Sequence, residues 1–162
     1  MPLYFLLAAA LVAVDQVVKY LVRAGIPLHT AVDFLPGLDL TYVQNTGAAF
    51  SLLEEHTWIL TIVSLVVSVL LVVLLVKTVF PRPFAMAALS MVLAGAVGNL
   101  IDRTLRGFVV DMFQLLFMNF AVFNVADICV VVGGIAAAAY YLLLADKLEH
   151  KEVPHGTADA DR

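Results

Sequence analysis

Four long apolar stretches divide this sequence, and each is long enough to cross a lipid bilayer. They cover residues 3–22, 58–76, 84–100 and 122–145, and a transmembrane helix needs about 20 mostly apolar residues. Of the whole chain, 63% is hydrophobic and only 14% is charged, against about 25% charged residues in a typical soluble domain. A chain this apolar would expose too much apolar surface to water. We therefore predict an all-α membrane protein with four transmembrane helices.

The chain length of 162 residues fits a single domain. We assign residues 1–146 to a transmembrane domain and residues 147–162 to a polar, solvated cytoplasmic tail. A cleaved signal peptide is the alternative for the apolar N-terminus. However, no Lys or Arg precedes residues 3–14, and charged residues follow in place of a small-residue cleavage site. We expect the first helix to be retained.

The number of spans determines which connections meet. With four spans both termini lie on one side, so residues 24–57 and 104–121 share the opposite side. Lys and Arg residues in the 77–83 connection and in the tail favour the cytoplasm for the side of the termini. Basic residues near the opposite side weaken this charge count. We predict that both termini are cytoplasmic and that the two long connections face outward.

The two long connections do not have the composition of ordinary loops. Leu38, Leu40 and Tyr42 alternate with polar residues, which is the pattern of a half-buried strand. Residues 104–121 are rich in Val, Phe, Leu and Met, and this segment is too apolar for a free loop. We expect it to lie in the membrane interface or to pack against the first connection.

Ionisable residues near the ends of the predicted spans mark the candidate site. An ionisable group at bilayer depth costs about 2.5–3.5 kcal/mol on insertion scales and therefore indicates a function by default. Asp15 and Lys19 are four residues apart in the first span, so they share a helical face and can pair. A purely structural ion pair, or a lysine that reaches up to the interface, is the alternative.

A second polar group lies at the outer end of the third span. Asn99, Asp102 and Arg103 stand at i, i+3 and i+4 and share one helical face. A helix end with an internal salt bridge is the alternative, although Asn99 lies a full turn deeper and needs a partner of its own. Asn45 precedes the second span in an Asn-Thr-Gly sequence, which is also typical of an ordinary turn.

Two further aspartates form the candidate catalytic pair. Asp111 lies in an apolar part of the third connection, and Asp127 lies near the start of the fourth span on one face with Asn124. Each has a local alternative, a turn residue for Asp111 and a helix N-cap for Asp127. Two carboxyls held close in low-dielectric surroundings cannot both ionise, so they share one proton. One then serves as general base toward a water, and the other as general acid toward a peptide carbonyl.

Other chemistries and partners are poorly supported by the sequence. None of the four histidines lies in an HExxH spacing or within a span, so we expect no metal. No phosphate-binding glycine loop is present, so we expect no cofactor. A net charge of −4 argues against nucleic acid. The single cysteine, Cys129, lies in an apolar run and is expected to be a small buried hydrophobe.

Five short motifs carry a resemblance to a known family. In chain order they are residues 15–19 (DQVVK), 45–51 (NTGAAFS), 98–103 (GNLIDR), 109–111 (VVD) and 123–127 (FNVAD). Their order and membrane positions resemble those of bacterial lipoprotein signal peptidase, also called signal peptidase II, over nearly the whole chain short of the tail. Ile128 and Cys129 depart from the pattern, because a small polar residue is common in the family after the aspartate equivalent to Asp127.

The resemblance implies an aspartyl endopeptidase of the bacterial inner membrane that acts without a metal or cofactor. Its substrates are diacylglyceryl-modified prolipoproteins, cut on the N-terminal side of the lipidated cysteine. The resemblance assigns catalysis to Asp111 and Asp127. It assigns substrate binding or support of the pair to four further residues, namely Asn45, Asn99, Arg103 and Asn124. It assigns a structural role to three more, namely Asp15, Lys19 and Asp102.

The resemblance also implies an architecture and a setting. The family fold is a four-helix membrane bundle with a small extracytoplasmic β platform and an interfacial helix. The active site lies near the outer, periplasmic face, in contact with membrane lipid, and we expect a monomer.

Two different classes of protein remain open from the residues alone. A small proton-linked transporter or channel subunit also carries buried carboxylates, but it favours repeated halves and polar residues through the bilayer depth. A structural membrane subunit could use the polar cluster for assembly. Cleavage of a precursor in reconstituted membranes separates all three.

Overall fold

The computed structural model describes residues 2–47, 57–79 and 82–149. Its four long helices are α1 (Pro2–Gly25), α2 (Thr57–Val76), α3 (Pro83–Arg106) and α4 (Val125–Glu149). All four are long and apolar enough to cross a membrane. They coincide with the four predicted spans, so the predicted four-helix membrane fold is confirmed.

Local capping signals explain where the helix ends differ from the predicted ones. α3 continues past residue 100 and ends where Gly107 adopts a φ of 79° and donates its amide to the carbonyl of Arg103 at 3.0 Å. Glycine is the residue best suited to this left-handed cap. Asp102 therefore lies inside the helix, a turn before its end. α4 begins at Val125 rather than at residue 122, because the side chain of Asn124 caps it.

Several predicted features fall on residues that the structure does not describe. α4 continues to Glu149, beyond the predicted domain end at residue 146, and residues 150–162 of the predicted tail lie outside the described residues. Residues 48–51 of the Asn45 motif lie outside them as well. Apart from α1 to α4, the described residues contain no α-helix, so the interfacial helix stays a prediction.

The two long connections together form a three-stranded antiparallel sheet, here called the platform. Its strands, in spatial order, are β1 (Ala31–Leu35), β2 (Leu38–Asn45) and β3 (Val109–Leu115). β1 and β2 form a hairpin closed at Gly37, whose φ of 85° suits a residue without a side chain. β3 pairs with β2, so the third connection packs against the first, one of the two arrangements we expected.

α3 is the central helix, since it contacts α1, α2, α4 and β3. Small residues allow its neighbours to approach closely. A Cβ added to Gly95 would lie 2.2 Å from the carbonyl oxygen of Ala126, and one on Gly98 would lie 2.6 Å from Asp15 Oδ2. A Cβ on Gly133 of α4 would lie 2.7 Å from a backbone carbonyl of α3. These glycines set the distance at which α1 and α4 pack on α3.

Two apolar clusters enclose the polar residues of α1. The larger joins α1, α2 and α3 and consists of Ala8, Leu71, Leu75, Met86, Leu93 and Ala94. The smaller joins α1 to the platform and consists of Val22, Tyr42, Val110 and Met112. Along α1, the buried residues Asp15 and Lys19 lie between the two clusters. The platform is therefore attached to the helices by apolar packing just beyond the polar group.

Two adjacent glycines of α4 allow a matched test of this packing. Gly133→Ala is expected to lower the free energy of unfolding by about 1–3 kcal/mol, the usual cost of overpacking, because the added methyl meets α3. Gly134→Ala is the control, since a Cβ there meets nothing within 4 Å and alanine is the better helix former. Thermal unfolding in detergent micelles measures both. Equal loss of stability in the two variants contradicts the packing described.

Candidate active site

Five elements bring the predicted polar residues together between the platform and the helices. These residues are Asp15 and Lys19 of α1, Asn45 of β2, Asn99, Asp102 and Arg103 of α3, Asp111 of β3, and Asn124 and Asp127 at the start of α4. Hydrogen bonds and ion pairs join eight of the nine into one network. The ninth, Arg103, lines two cavities beside it.

Asp111 is held by two amide side chains. It is 2% exposed; Asn45 Nδ2 donates to its Oδ2 at 2.8 Å, and Asn124 Nδ2 donates to its Oδ1 at 2.6 Å. Burial raises the pKa of Asp111 to about 6, and the charge of Asp127 acts in the same direction against the two amide hydrogen bonds. The carboxyl of Asp111 is therefore poised to exchange a proton near neutral pH.

Asp127 forms a reciprocal cap with Asn124 at the start of α4. The amide of Asp127 donates to Asn124 Oδ1 at 2.9 Å, and the amide of Asn124 donates to Asp127 Oδ2 at 3.1 Å, as in a capping box. The N-cap of α4 is therefore Asn124 rather than Asp127, which is the third residue of the helix. The cap leaves Asp127 Oδ1 for Asn99, whose Nδ2 donates to it at 2.8 Å.

Asn124 links the two carboxyls directly. Its side-chain amide donates to Asp111, while its carbonyl oxygen accepts from the backbone of Asp127. One residue thus fixes Asp127 relative to Asp111, although the two come from different elements. Asn45 combines two functions in the same way, since its Oδ1 accepts from the amide of Gly47 at 3.1 Å. The predicted turn at Asn45 and its contact with Asp111 coexist.

Behind the two carboxyls lies a group of charged residues, here called the ion cluster: Asp15, Lys19, Asp102 and Arg106. Lys19 Nζ lies 2.9 Å from Asp15 Oδ2 and 3.2 Å from Asp102 Oδ2. Arg106 pairs with Asp102 from the following turn of α3. Lys19 and Asp102 are completely buried, and such charges are tolerated only when paired. Two acids and two bases make the ion cluster electrically balanced.

Each acid of the ion cluster also holds the backbone next to one of the two carboxyls. Asp102 Oδ2 accepts the amide of Val110 at 3.0 Å, and Asp15 Oδ1 accepts the amide of Ala126 at 2.9 Å. Val110 immediately precedes Asp111, and Ala126 immediately precedes Asp127. The ion cluster therefore anchors β3 and α4 to α1 and α3 at the two points from which Asp111 and Asp127 project.

Arg103 lies where two cavities meet. One, of about 510 Å³, is lined by Asn45 of the platform and by apolar residues around the start of α4, including Phe120. The other, of about 290 Å³, lies between α2, α3 and α4. Both reach Arg103 and Asp127. Arg103 Nη1 lies 3.5 Å from Ser64 Oγ on α2, so its guanidinium is turned toward this space rather than toward the ion cluster.

Two members of the network were not predicted from the sequence. Gln16 Nε2 donates to Asp102 Oδ1 and to the carbonyl of Gly98, both at 3.2 Å. Arg106, one of the basic residues on the side opposite the termini, pairs with Asp102. Its position four residues after Asp102 on the same helix was the available signal. No comparable sequence signal identified Gln16, because no spacing rule links a glutamine within one apolar helix to its partners on another helix.

The residues that depart from the family pattern have separate environments. Cys129 is 5% exposed and is packed as a small hydrophobe, as expected. Ile128 lines the larger cavity. Among residues 2–47, 57–79 and 82–149, no group of three or more His, Cys, Asp or Glu has the arrangement of a metal site.

The sequence is similar to known proteins over nearly its whole length. The family model for "Signal peptidase (SPase) II" matches residues 7–143. The lipoprotein signal peptidase of Enterococcus faecalis is 46% identical over 155 residues, covering 95% of this chain and 95% of the relative. That of Brevibacillus brevis is 38% identical over 131 residues, covering 80% of this chain and 88% of the relative.

Two solved structures are similar in fold, and both are described as bacterial membrane enzymes determined by the in meso method. The one at 2.3 Å resolution has a TM-score of 0.81 and 28% identity, covering all of this chain and 96% of that chain. The one at 1.9 Å has a TM-score of 0.80 and 31% identity, covering 88% of this chain and 94% of that chain.

The pKa of Asp111 predicts how stability depends on pH. Because the pKa rises from 3.8 to about 6 on folding, the folded state binds the proton more tightly. The contribution of Asp111 to stability should therefore fall by about 2 kcal/mol as pH rises from 4 to 7. Asp111→Asn removes this titration. Thermal unfolding of both proteins across this range should show the difference, and parallel pH profiles contradict it.

Proposed function

Because this chain belongs to the signal peptidase II family, we propose that it is an aspartyl endopeptidase acting on lipidated prolipoproteins. The family removes signal peptides from prolipoproteins within the membrane, and four apolar helices suit this setting. To this family activity we add the aspartyl type of catalysis, the two catalytic residues and the position of the bond that is cut. The scissile bond is the one on the N-terminal side of the diacylglyceryl cysteine, and Asp111 and Asp127 cut it.

The observation that carries the aspartyl mechanism is the bridge made by Asn124. It donates to Asp111 and caps the helix turn that bears Asp127, so the two carboxyls form one rigid unit. The second support is the pKa of Asp111, which burial and the charge of Asp127 raise to about 6. Two carboxyls coupled in this way share one proton at pH values below about 6.

The proposed mechanism uses this single proton. The ionised carboxyl accepts a proton from a water as the water attacks the scissile carbonyl carbon. The protonated carboxyl donates to the carbonyl oxygen, and the resulting tetrahedral intermediate collapses with proton transfer to the leaving amine of the cysteine. The hydrogen bonds from Asn45, Asn99 and Asn124 keep both carboxyls in place through these transfers.

The two cavities beside Arg103 suit the two apolar parts of such a substrate. The signal peptide is a helix within the bilayer, and the diacylglyceryl group is a pair of acyl chains. The space between α2, α3 and α4 and the space around Phe120 are both mainly lined by apolar side chains. Arg103, at their junction, is placed to donate to a substrate carbonyl next to Asp127. We propose that the substrate spans both cavities.

The proposal includes an orientation. A lipidated prolipoprotein is cleaved where it leaves the membrane on the outer side, so the platform and the paired carboxyls face outward and both termini are cytoplasmic. The polar residues of the site gather at the platform end of the helices, whereas α2 carries only Ser and Thr among its polar residues. This distribution does not favour a transporter, which needs polar residues through the bilayer depth.

Replacing either paired carboxyl tests the mechanism. Asp111→Asn and Asp127→Asn are each expected to reduce cleavage of a diacylated precursor by at least about 10²-fold, because each removes one proton-transfer group. Asp33→Asn, in the exposed strand β1, is the control and should cleave normally. Precursor and product are separated by electrophoresis after reaction in proteoliposomes. Normal cleavage by both paired-carboxyl variants, at equal protein level, excludes the proposal.

The lipid requirement is tested with matched substrates. The same precursor with and without diacylglyceryl on its cysteine is incubated with the protein, and the products are sequenced by mass spectrometry. Only the lipidated form should be cut efficiently, because the acyl chains occupy one of the cavities, and the new N-terminus should be the modified cysteine. Equal cleavage of both forms, or cleavage elsewhere, contradicts the proposed substrate class.

A further inference from the structure

Lys19 is a completely buried charge, and its contacts reach beyond the ion cluster. Its side chain is 0% exposed. An ammonium group has three N–H bonds to donate and no acceptor. Two of them serve Asp15 and Asp102. The third serves Asn99 Oδ1, at 2.9 Å from Lys19 Nζ.

This third contact determines how the amide of Asn99 is turned. Because Lys19 can only donate, the atom of Asn99 that faces it must be the oxygen. The Nδ2 group of Asn99 must then point the other way, where it donates to Asp127 Oδ1 at 2.8 Å. Asn124 Nδ2, at 3.3 Å from the same oxygen of Asn99, favours the same orientation. Without Lys19, Asn99 could rotate and present its oxygen to Asp127.

We propose that Lys19 is a positioning residue for proton transfer, which acts by fixing Asn99 so that its amide donates to Asp127. The donated hydrogen bond favours the ionised form of the paired carboxyls, the form that accepts a proton from water. Lys19 therefore has a role in the reaction besides balancing Asp15 and Asp102. This inference rests on the proposed aspartyl mechanism and adds to it the residue that orients the donor.

The other charged groups around the site do not replace Lys19. On α1 the neighbour is Asp15, on β3 it is Asp111 and on α4 it is Asp127; α3 contributes Asp102, Arg103 and Arg106. The described residues of β2 and α2 that face the site, Asn45 and Ser64, are uncharged. Arg106 is committed to Asp102, and Arg103 lies toward the cavities. Among these groups, only Lys19 donates a hydrogen bond to Asn99.

The test compares Asp15→Asn/Lys19→Met with Asp15→Asn. The double variant leaves Asp102 paired with Arg106 and keeps an oxygen at residue 15 for the amide of Ala126, so no acid is left without a base. Asp15→Asn keeps the contact between Lys19 and Asn99. The readout is kcat/KM against pH for a diacylated precursor, with kcat and KM measured separately.

The inference predicts a shift in one limb of the pH profile. In the double variant the acid limb, which is the rise of kcat/KM at low pH, should move to higher pH by about one unit. This is the lower end of the pKa shifts that carboxyls show when a favourable charged contact is lost. kcat should fall by more than KM changes. Asp15→Asn should keep the acid limb of the wild type. The same acid limb in both variants, or a change confined to KM, overturns the inference and reduces Lys19 to a structural counterion.

Asn99→Leu keeps the test open if the double variant does not fold. It removes the donor to Asp127 while leaving Lys19 with Asp15 and Asp102, and the acid limb should move in the same direction. An unshifted limb in Asn99→Leu also overturns the inference. Failure of the aspartyl mechanism is recognised separately, because Asp111→Asn and Asp127→Asn would then still cleave the precursor.

Discussion

The buried ammonium of Lys19 is the constraint on which the rest of the site depends. A charge that is wholly enclosed must be paired and fully hydrogen-bonded, and Lys19 meets this requirement with Asp15, Asp102 and Asn99. The two acids use their remaining capacity to accept the backbone amides that precede Asp111 and Asp127. One neutralised cation thus fixes both the strand and the helix that carry the proposed catalytic pair.

Close helix packing makes this arrangement possible. Glycines on α3 let α1 and the start of α4 approach until Asp15 reaches the amide of Ala126, and bulkier residues would separate them. Apolar packing of Val22, Tyr42, Val110 and Met112 then joins α1 to the platform just beyond the charged residues. The cost of burying the charges is offset only when all these elements are in place, which ties the geometry of the site to the folding of the whole domain.

The sequence predicted the spans and the polar cluster well, because both depend on composition and on helical spacing. It predicted less where two elements meet. β3 could not be recognised as a strand, since its apolar run fits an interfacial segment equally well until β2 is seen to pair with it. Local roles and site roles also could not be separated: Asn45 closes a turn and binds Asp111, and Asn124 caps α4 while it bridges the pair. The extension of α3 past residue 100 depended on a cap at Gly107 that the apolar pattern did not reveal.

The central claim is that Asp111 and Asp127 activate a water rather than attack the peptide themselves. A single turnover of a diacylated precursor in H₂¹⁸O tests this most directly, followed by mass spectrometry of the products and of the protein. The account predicts one ¹⁸O atom in the new C-terminal carboxylate of the released signal peptide, and none in the protein fragments that contain Asp111 and Asp127. Label incorporated into either aspartate side chain would reveal a covalent intermediate and contradict the account.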